Sequence, residues 1–179
     1  MKKGVLIIEC IERNDPGSEG RFLSHLLNVM NIECQYLEVR TPDQFINFIK
    51  TTPYRYIHVT THGYTDINSF QGWWTAKGII SKENLRTIRN AINDTIIVST
   101  ACNSGEKTYS DYLTRKLGVK YYIAPTGSPK FHNSLFFIHI FYHKHFILKL
   151  SIEKCIKSYN NLYKNPHKFK VFTRNVDTY

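Results

Sequence analysis

Two residues able to do chemistry together, a thiol and an imidazole, stand at the ends of two apolar runs. In "TIIVSTACNSG" (95–105) Cys102 comes just past Ile96, Ile97 and Val98, and small polar residues follow it at once. A packing cysteine belongs inside the run. In "YRYIHVTTHG" (54–63) another run closes on His62 and Gly63. A deprotonated thiol is a good nucleophile, and a nearby imidazole can take its proton. Amide cleavage also needs donors for the developing oxyanion. Gly63 offers a backbone N–H with no side chain in the way. Cys102 offers its own if the chain turns sharply, which Asn103, Ser104 and Gly105 permit.

Holding two run ends side by side takes a sheet. "GVLIIEC" (4–10) is a short apolar run of strand length, and "SEGRFLSHLLNVM" (18–30) repeats its apolar residues at helical spacing, with Ser18 placed as cap. "IECQYLEV" (32–39) alternates as a strand, Pro42 opens a helix over "DQFINFIK", and 54–63 is a third strand. "GWWTAKGII" (72–80) suggests a hairpin or short extended segment; a helix over 81–92, capped by Ser81, leads to the strand before Cys102. A helix over 108–118 closed by Gly118, a strand over 120–127 and helices over 131–148 and 151–164 complete the pattern. Such alternation predicts one α/β domain spanning 1–179, a mostly parallel sheet flanked by helices. Ligands of these sheets bind beyond the carboxyl ends of the strands, where Cys10, His62, Cys102 and Thr126 fall.

Composition narrows the function classes. The formal charge is +10, and from Lys144 onward eight Lys or Arg stand against Glu153 and Asp177, with a basic tail expected from about residue 166. No nucleic-acid-binding motif accompanies the charge, so a solvated face or an acidic partner is the simpler reading. "ECIERNDPGSEG" carries neither a dinucleotide nor a P-loop glycine pattern. Four cysteines without a CxxC pair point to a reduced, cytoplasmic setting. The apolar stretch 131–150 holds four histidines and two lysines, which argues against a membrane span. Cys10 reads as buried filler, Cys34 and Cys155 as core. His139 and His143 have zinc-like i, i+4 spacing, but no third ligand is evident and Ile140 stands where a metalloprotease has Glu.

The two motifs, "YIHVTTHG" and "IIVSTACNSG", resemble the His-Gly and Ala-Cys elements of caspase-like cysteine peptidases, and most nearly the CHAT branch, with its "ATHG" and "LSAC.TG" strand ends. The segment between them, "FQGWWTAKGIISKENLRTI", and the later strand and closing helices are similar too, so the likeness spans roughly residues 4 to 165. It implies a caspase-like three-layer sandwich and peptide-bond hydrolysis by a Cys102/His62 dyad without metal or organic cofactor. Gly63 and Cys102 amides would form the oxyanion hole. Asn103 and Ser104 depart from the Glu and Thr common in the family.

The resemblance leaves substrate preference open. Arg-specific relatives carry an acid two positions before the cysteine, and here that residue is Thr100. Caspases read a P1 aspartate with an arginine in the loop after the first strand, where Arg13 lies; an ordinary exposed loop arginine is the plainer reading. Asp66 and Lys130 are candidates for the pocket border. The family also implies a separate regulatory protein partner and a role in bacterial immune defence. Two rivals remain at this stage: a catalytically silent caspase-like adaptor acting through protein–protein contacts, and a nucleotide- or nucleic-acid-binding α/β domain.

Overall fold

Alternation along the first strand decides the layers. In β1 (Lys2–Glu9) Val5 and Ile7 face one side of the sheet while Leu6 and Ile8 face the other, and all four are fully buried. A strand apolar on both faces must be covered on both. The computed structural model describes residues 2–12, 14–67, 69–163, 167–174 and 177–178.

The chain continues through α1 (Gly20–Val29), β2 (Cys34–Glu38), α2 (Pro42–Thr51) and β3 (Tyr54–Thr60). A small antiparallel sheet follows, made of β4 (Gly63–Asp66), β5 (Ser69–Thr75) and β6 (Gly78–Ser81). Short helices α3 (Lys82–Arg86) and α4 (Arg89–Ile92) lead to β7 (Ile96–Ser99). Then come α5 (Lys107–Asp111), β8 (Tyr121–Pro125), α6 (Phe131–Tyr142), α7 (Ile152–Leu162), β9 (Phe169–Thr173) and β10 (Asp177–Thr178). Both α5 and α6 run on into a wider π-helical turn, Tyr112–Lys116 and His143–Ile147.

The main sheet has the order β10-β9-β8-β7-β3-β1-β2. From β2 to β8 neighbouring strands are parallel, and β9 and β10 add an antiparallel edge. Helices α1, α6 and α7 pack on Val5, Ile7, Tyr56, Ile96, Val98 and Ile123. Helices α2 to α5 and the small sheet pack on Leu6, Ile8, Ile57, Val59, Ile97 and Tyr122. The result is a three-layer α/β architecture with a mostly parallel central sheet, as the alternation predicts. Strands β3 and β7 are neighbours, with Val59 paired to Ser99. His62 and Cys102 therefore lie equally far, three residues, beyond one shared rung.

Three expectations change. The segment expected as one helix over 81–92 is two, because the Thr87 hydroxyl donates to the Asn84 carbonyl (2.7 Å) and Ile88 leaves helical geometry. Ser18 does not cap α1; Glu19 holds that position, and Ser18 bonds Glu9 instead. The basic tail contains a strand of the main sheet: Phe169 and Val171 are buried while Lys168 and Lys170 are exposed, a two-residue period that the charge obscured. Among the described residues no helix is long and apolar enough to cross a membrane.

Phe169 stacks on Phe137 with ring centroids 3.6 Å apart, tying the edge strand to α6. Phe169→Ala is expected to cost about 3–5 kcal/mol in urea unfolding, the usual range for a buried aromatic truncation. An unchanged midpoint would show that the strand adds nothing to the core.

Candidate active site

The turn after β7 is held from below by a chain of hydroxyls. Ser104 Oγ donates to the Ala101 carbonyl (2.7 Å), which spends its one proton. Ser99 Oγ must then donate to Ser104 Oγ (3.0 Å), while it accepts from the Trp73 indole (3.0 Å) and the Ala101 amide (3.3 Å). Tyr122 OH donates to the Ser104 carbonyl (2.8 Å), and Asn103 N and Gly105 N donate to Gly127 O (2.8 Å) and Pro125 O (2.9 Å). Asn103 stands at φ +60°, a left-handed position that asparagine tolerates better than most residues. These bonds bracket Cys102 without using its own amide, which donates to no group among the described residues. The partly buried Cys102 thus sits on a rigid corner.

The other strand end meets this corner closely. A Cβ placed on Gly63 would overlap the Cys102 carbonyl oxygen, so only glycine lets the two backbones approach. Gly63 opens β4 opposite Trp73, and Trp74 N donates to His62 O (3.0 Å). Gly63 therefore occupies a non-hydrogen-bonded rung, and its N–H points off the open edge of β4. Among the described residues the amides of 63 and 102 have no acceptor.

His62 keeps its ring in solvent contact, the side chain being 47% exposed, and its Nε2 lies 2.9 Å from Asp15 Oδ2. A carboxylate only accepts, so Nε2–H is the donor of this bond. Burial pushes the Asp15 carboxyl up, but the bond from His62, the Gly17 amide and the His62 charge outweigh it and hold it below the ordinary carboxylate value. Asp15 belongs to the loop after β1, and that loop is anchored by buried Glu9. Glu9 Oε1 accepts from Ser18 Oγ (3.0 Å) and Gly20 N (2.9 Å), and Oε2 from Tyr36 OH (2.5 Å). A carboxylate satisfied three times can stay buried.

Of the residues singled out in the sequence, Gly63 and Cys102 meet through their backbones, and His62 immediately precedes Gly63 at that strand end, its imidazole turned to Asp15. Thr100 is buried with its amide on the Val59 carbonyl (3.2 Å), a strand-end position within the fold. Asp66 is exposed at the far end of β4, roughly 10 Å along the strand from Gly63. Lys130 is exposed at the N-cap of α6, two residues past Ser128, whose Oγ accepts from Asn103 Nδ2 (3.5 Å). Arg13 lies outside the described residues. Asp15 escaped the sequence reading: it is 47 residues from His62 and sits in a loop without a motif. The other thiols differ: burial, with Glu9 adding, pushes Cys10 up to about 12, and burial pushes Cys155 up to about 11. His139 and His143 have ring centroids 6.4 Å apart, and the described residues hold no cluster of three or more candidate metal ligands.

No family model matches the chain, and no curated protein matches it at a significant level.

The Asp15–His62 pair has a pH signature. The folded carboxyl titrates lower than the unfolded one, so its stabilisation is complete above about pH 3.9 and is lost as pH falls through the lower folded value. Asp15→Asn should lower stability at neutral pH, and the gap to wild type should shrink on acidification below that range. A gap independent of pH would mean that the carboxylate is not paired as described.

Proposed function

We propose that the chain is a caspase-like cysteine endopeptidase, with Cys102 as nucleophile and His62 as general base and acid. The observation that carries this reading is the meeting of the β3 and β7 ends: Gly63 packs on the Cys102 carbonyl, Cys102 stands on a rigid corner, His62 beside Gly63 is bonded to Asp15, and the amides of 63 and 102 have no acceptor among the described residues. The resemblance of "HVTTHG" and "STACNSG" to the CHAT branch supports it independently.

The steps follow from the groups present. His62 Nδ1 takes the Cys102 proton, and the thiolate attacks the scissile carbonyl carbon. The oxyanion is received by the Gly63 and Cys102 amides, the kind of preorganised donors that lower such barriers most. The imidazolium, stabilised by Asp15, gives its proton to the leaving amine. Water, deprotonated by the now neutral His62, attacks the thioester, and the thiol leaves with the proton returned. No step calls for a metal or organic cofactor. Cytoplasmic residence and control by a separate protein partner belong to the same proposal and rest on cysteine usage and on the family likeness.

A library of random octapeptides, digested and sequenced by mass spectrometry, tests the activity. Wild type should cleave at recurrent sites, and Cys102→Ala and His62→Ala should each lose about 10³-fold or more in rate, as for other nucleophile–base pairs. Asp15→Asn should lose on the order of 10²-fold, less than the ~10⁴ known for a buried orienting carboxylate. Cleavage that survives Cys102→Ala contradicts the assignment. A wild type that cleaves nothing favours the silent adaptor.

A further inference from the structure

Three side chains share the outer face of the β4–β5 ladder. The bond from Trp74 N to His62 O sets these residues directly opposite one another. Opposed residues of an antiparallel pair project to the same face, with Cβ atoms roughly 4.5–5.5 Å apart. Gly63 and Trp73 take the inner face, one pressed on the Cys102 carbonyl and the other fully buried. Tyr64, next along β4, returns to the side of His62. Its ring and that of Trp74 have centroids 5.6 Å apart at an interplanar angle of 38°.

Trp74 is 43% exposed, whereas Trp73 beside it is sealed in the core. The fold uses the backbone of Trp74, not its indole. Its N–H holds the His62 carbonyl, and its carbonyl accepts from Thr61 Oγ1 (2.5 Å). The exposed indole and the half-buried phenol, beside the exposed His62 imidazole, form an apolar shelf at the strand end that carries His62 and Gly63. Rigid aromatic anchors of this kind dominate recognition where they are desolvated by a partner.

We propose that the Tyr64–Trp74 pair is a specificity subsite that receives a bulky apolar or aromatic side chain of the peptide substrate close to the scissile bond. The proposal rests on the peptidase reading above. A chain laid over His62 must pass its cross-strand neighbour, so an apolar side chain at one fixed position from the cut would cover both rings.

The test uses the same octapeptide library with wild type, Trp74→Ala and Trp74→Phe. Because the structural bonds of residue 74 are made by its backbone, both variants should fold and should keep alkylation of Cys102 by iodoacetamide. Wild type should enrich Phe, Tyr, Leu or Met at one position. Trp74→Ala should lose that enrichment, with kcat/KM for the preferred peptides down about tenfold or more, and Trp74→Phe should restore most of it. On the Cys102→Ala background, titration with a preferred peptide should shift the emission of Trp74, the one exposed indole of the two. An unchanged profile in Trp74→Ala with hydrolysis intact overturns the subsite alone, as does enrichment of Lys or Arg at the position that Trp74→Ala affects. Absence of hydrolysis by wild type overturns the subsite together with the peptidase reading.

Discussion

The carbonyl oxygen of Cys102 fills the space that a side chain at position 63 would need. That one close approach sets the rest of the site. It brings the ends of two adjacent parallel strands within reach of each other, and it turns the Gly63 amide toward the edge of β4. His62 then has only the outer face left to it. The approach is possible because the corner at 101–105 is already rigid, with Ser99, Ser104, Trp73 and Tyr122 holding it from the core side. A buried network with every proton assigned matters here, since an unsatisfied acceptor in it would recruit the Cys102 amide.

A second constraint comes from charge. Glu9 ends β1 in the interior, where an unpaired carboxylate would be costly, and three donors from the following loop and β2 remove that cost. Their pull curls residues 15–20 back over the strand ends, so that Asp15 meets His62. Burial pushes the Tyr36 hydroxyl up, and the Glu9 carboxylate adds to it, keeping Tyr36 a donor. Sheet, loop and small hairpin thus each contribute one part: the thiol corner, the orienting carboxylate, and the glycine with its neighbouring aromatic shelf.

Much of this was legible in the chain. Apolar runs covered on both faces announce buried parallel strands, and a cysteine or histidine just past such a run is placed by that fact alone at the carboxyl rim. What stayed hidden depends on pairing across distance. Phe169 and Val171 alternate with lysines, and the charges of Lys168 and Lys170 masked a strand that only β8 could recruit. Thr87 broke a helix through a side-chain bond that competes locally with the backbone. Asp15 gives no signal of its own, because its partner is a histidine in another element. Ser104, read as a loop departure, is a hinge of the hydroxyl chain. Trp74 and Trp73 look equivalent in sequence and are opposite in structure, because their ladder sends one inward and the other out.

The central claim is that the junction makes Cys102 chemically distinct from the other three thiols. Competitive alkylation of all four in one sample, with limiting iodoacetamide and mass-spectrometric readout, measures this directly. Cys102 should be modified well ahead of Cys34 and of the buried Cys10 and Cys155, and His62→Ala should erase the lead. A Cys102 that reacts no faster than Cys34, or whose rate ignores His62, would contradict the account.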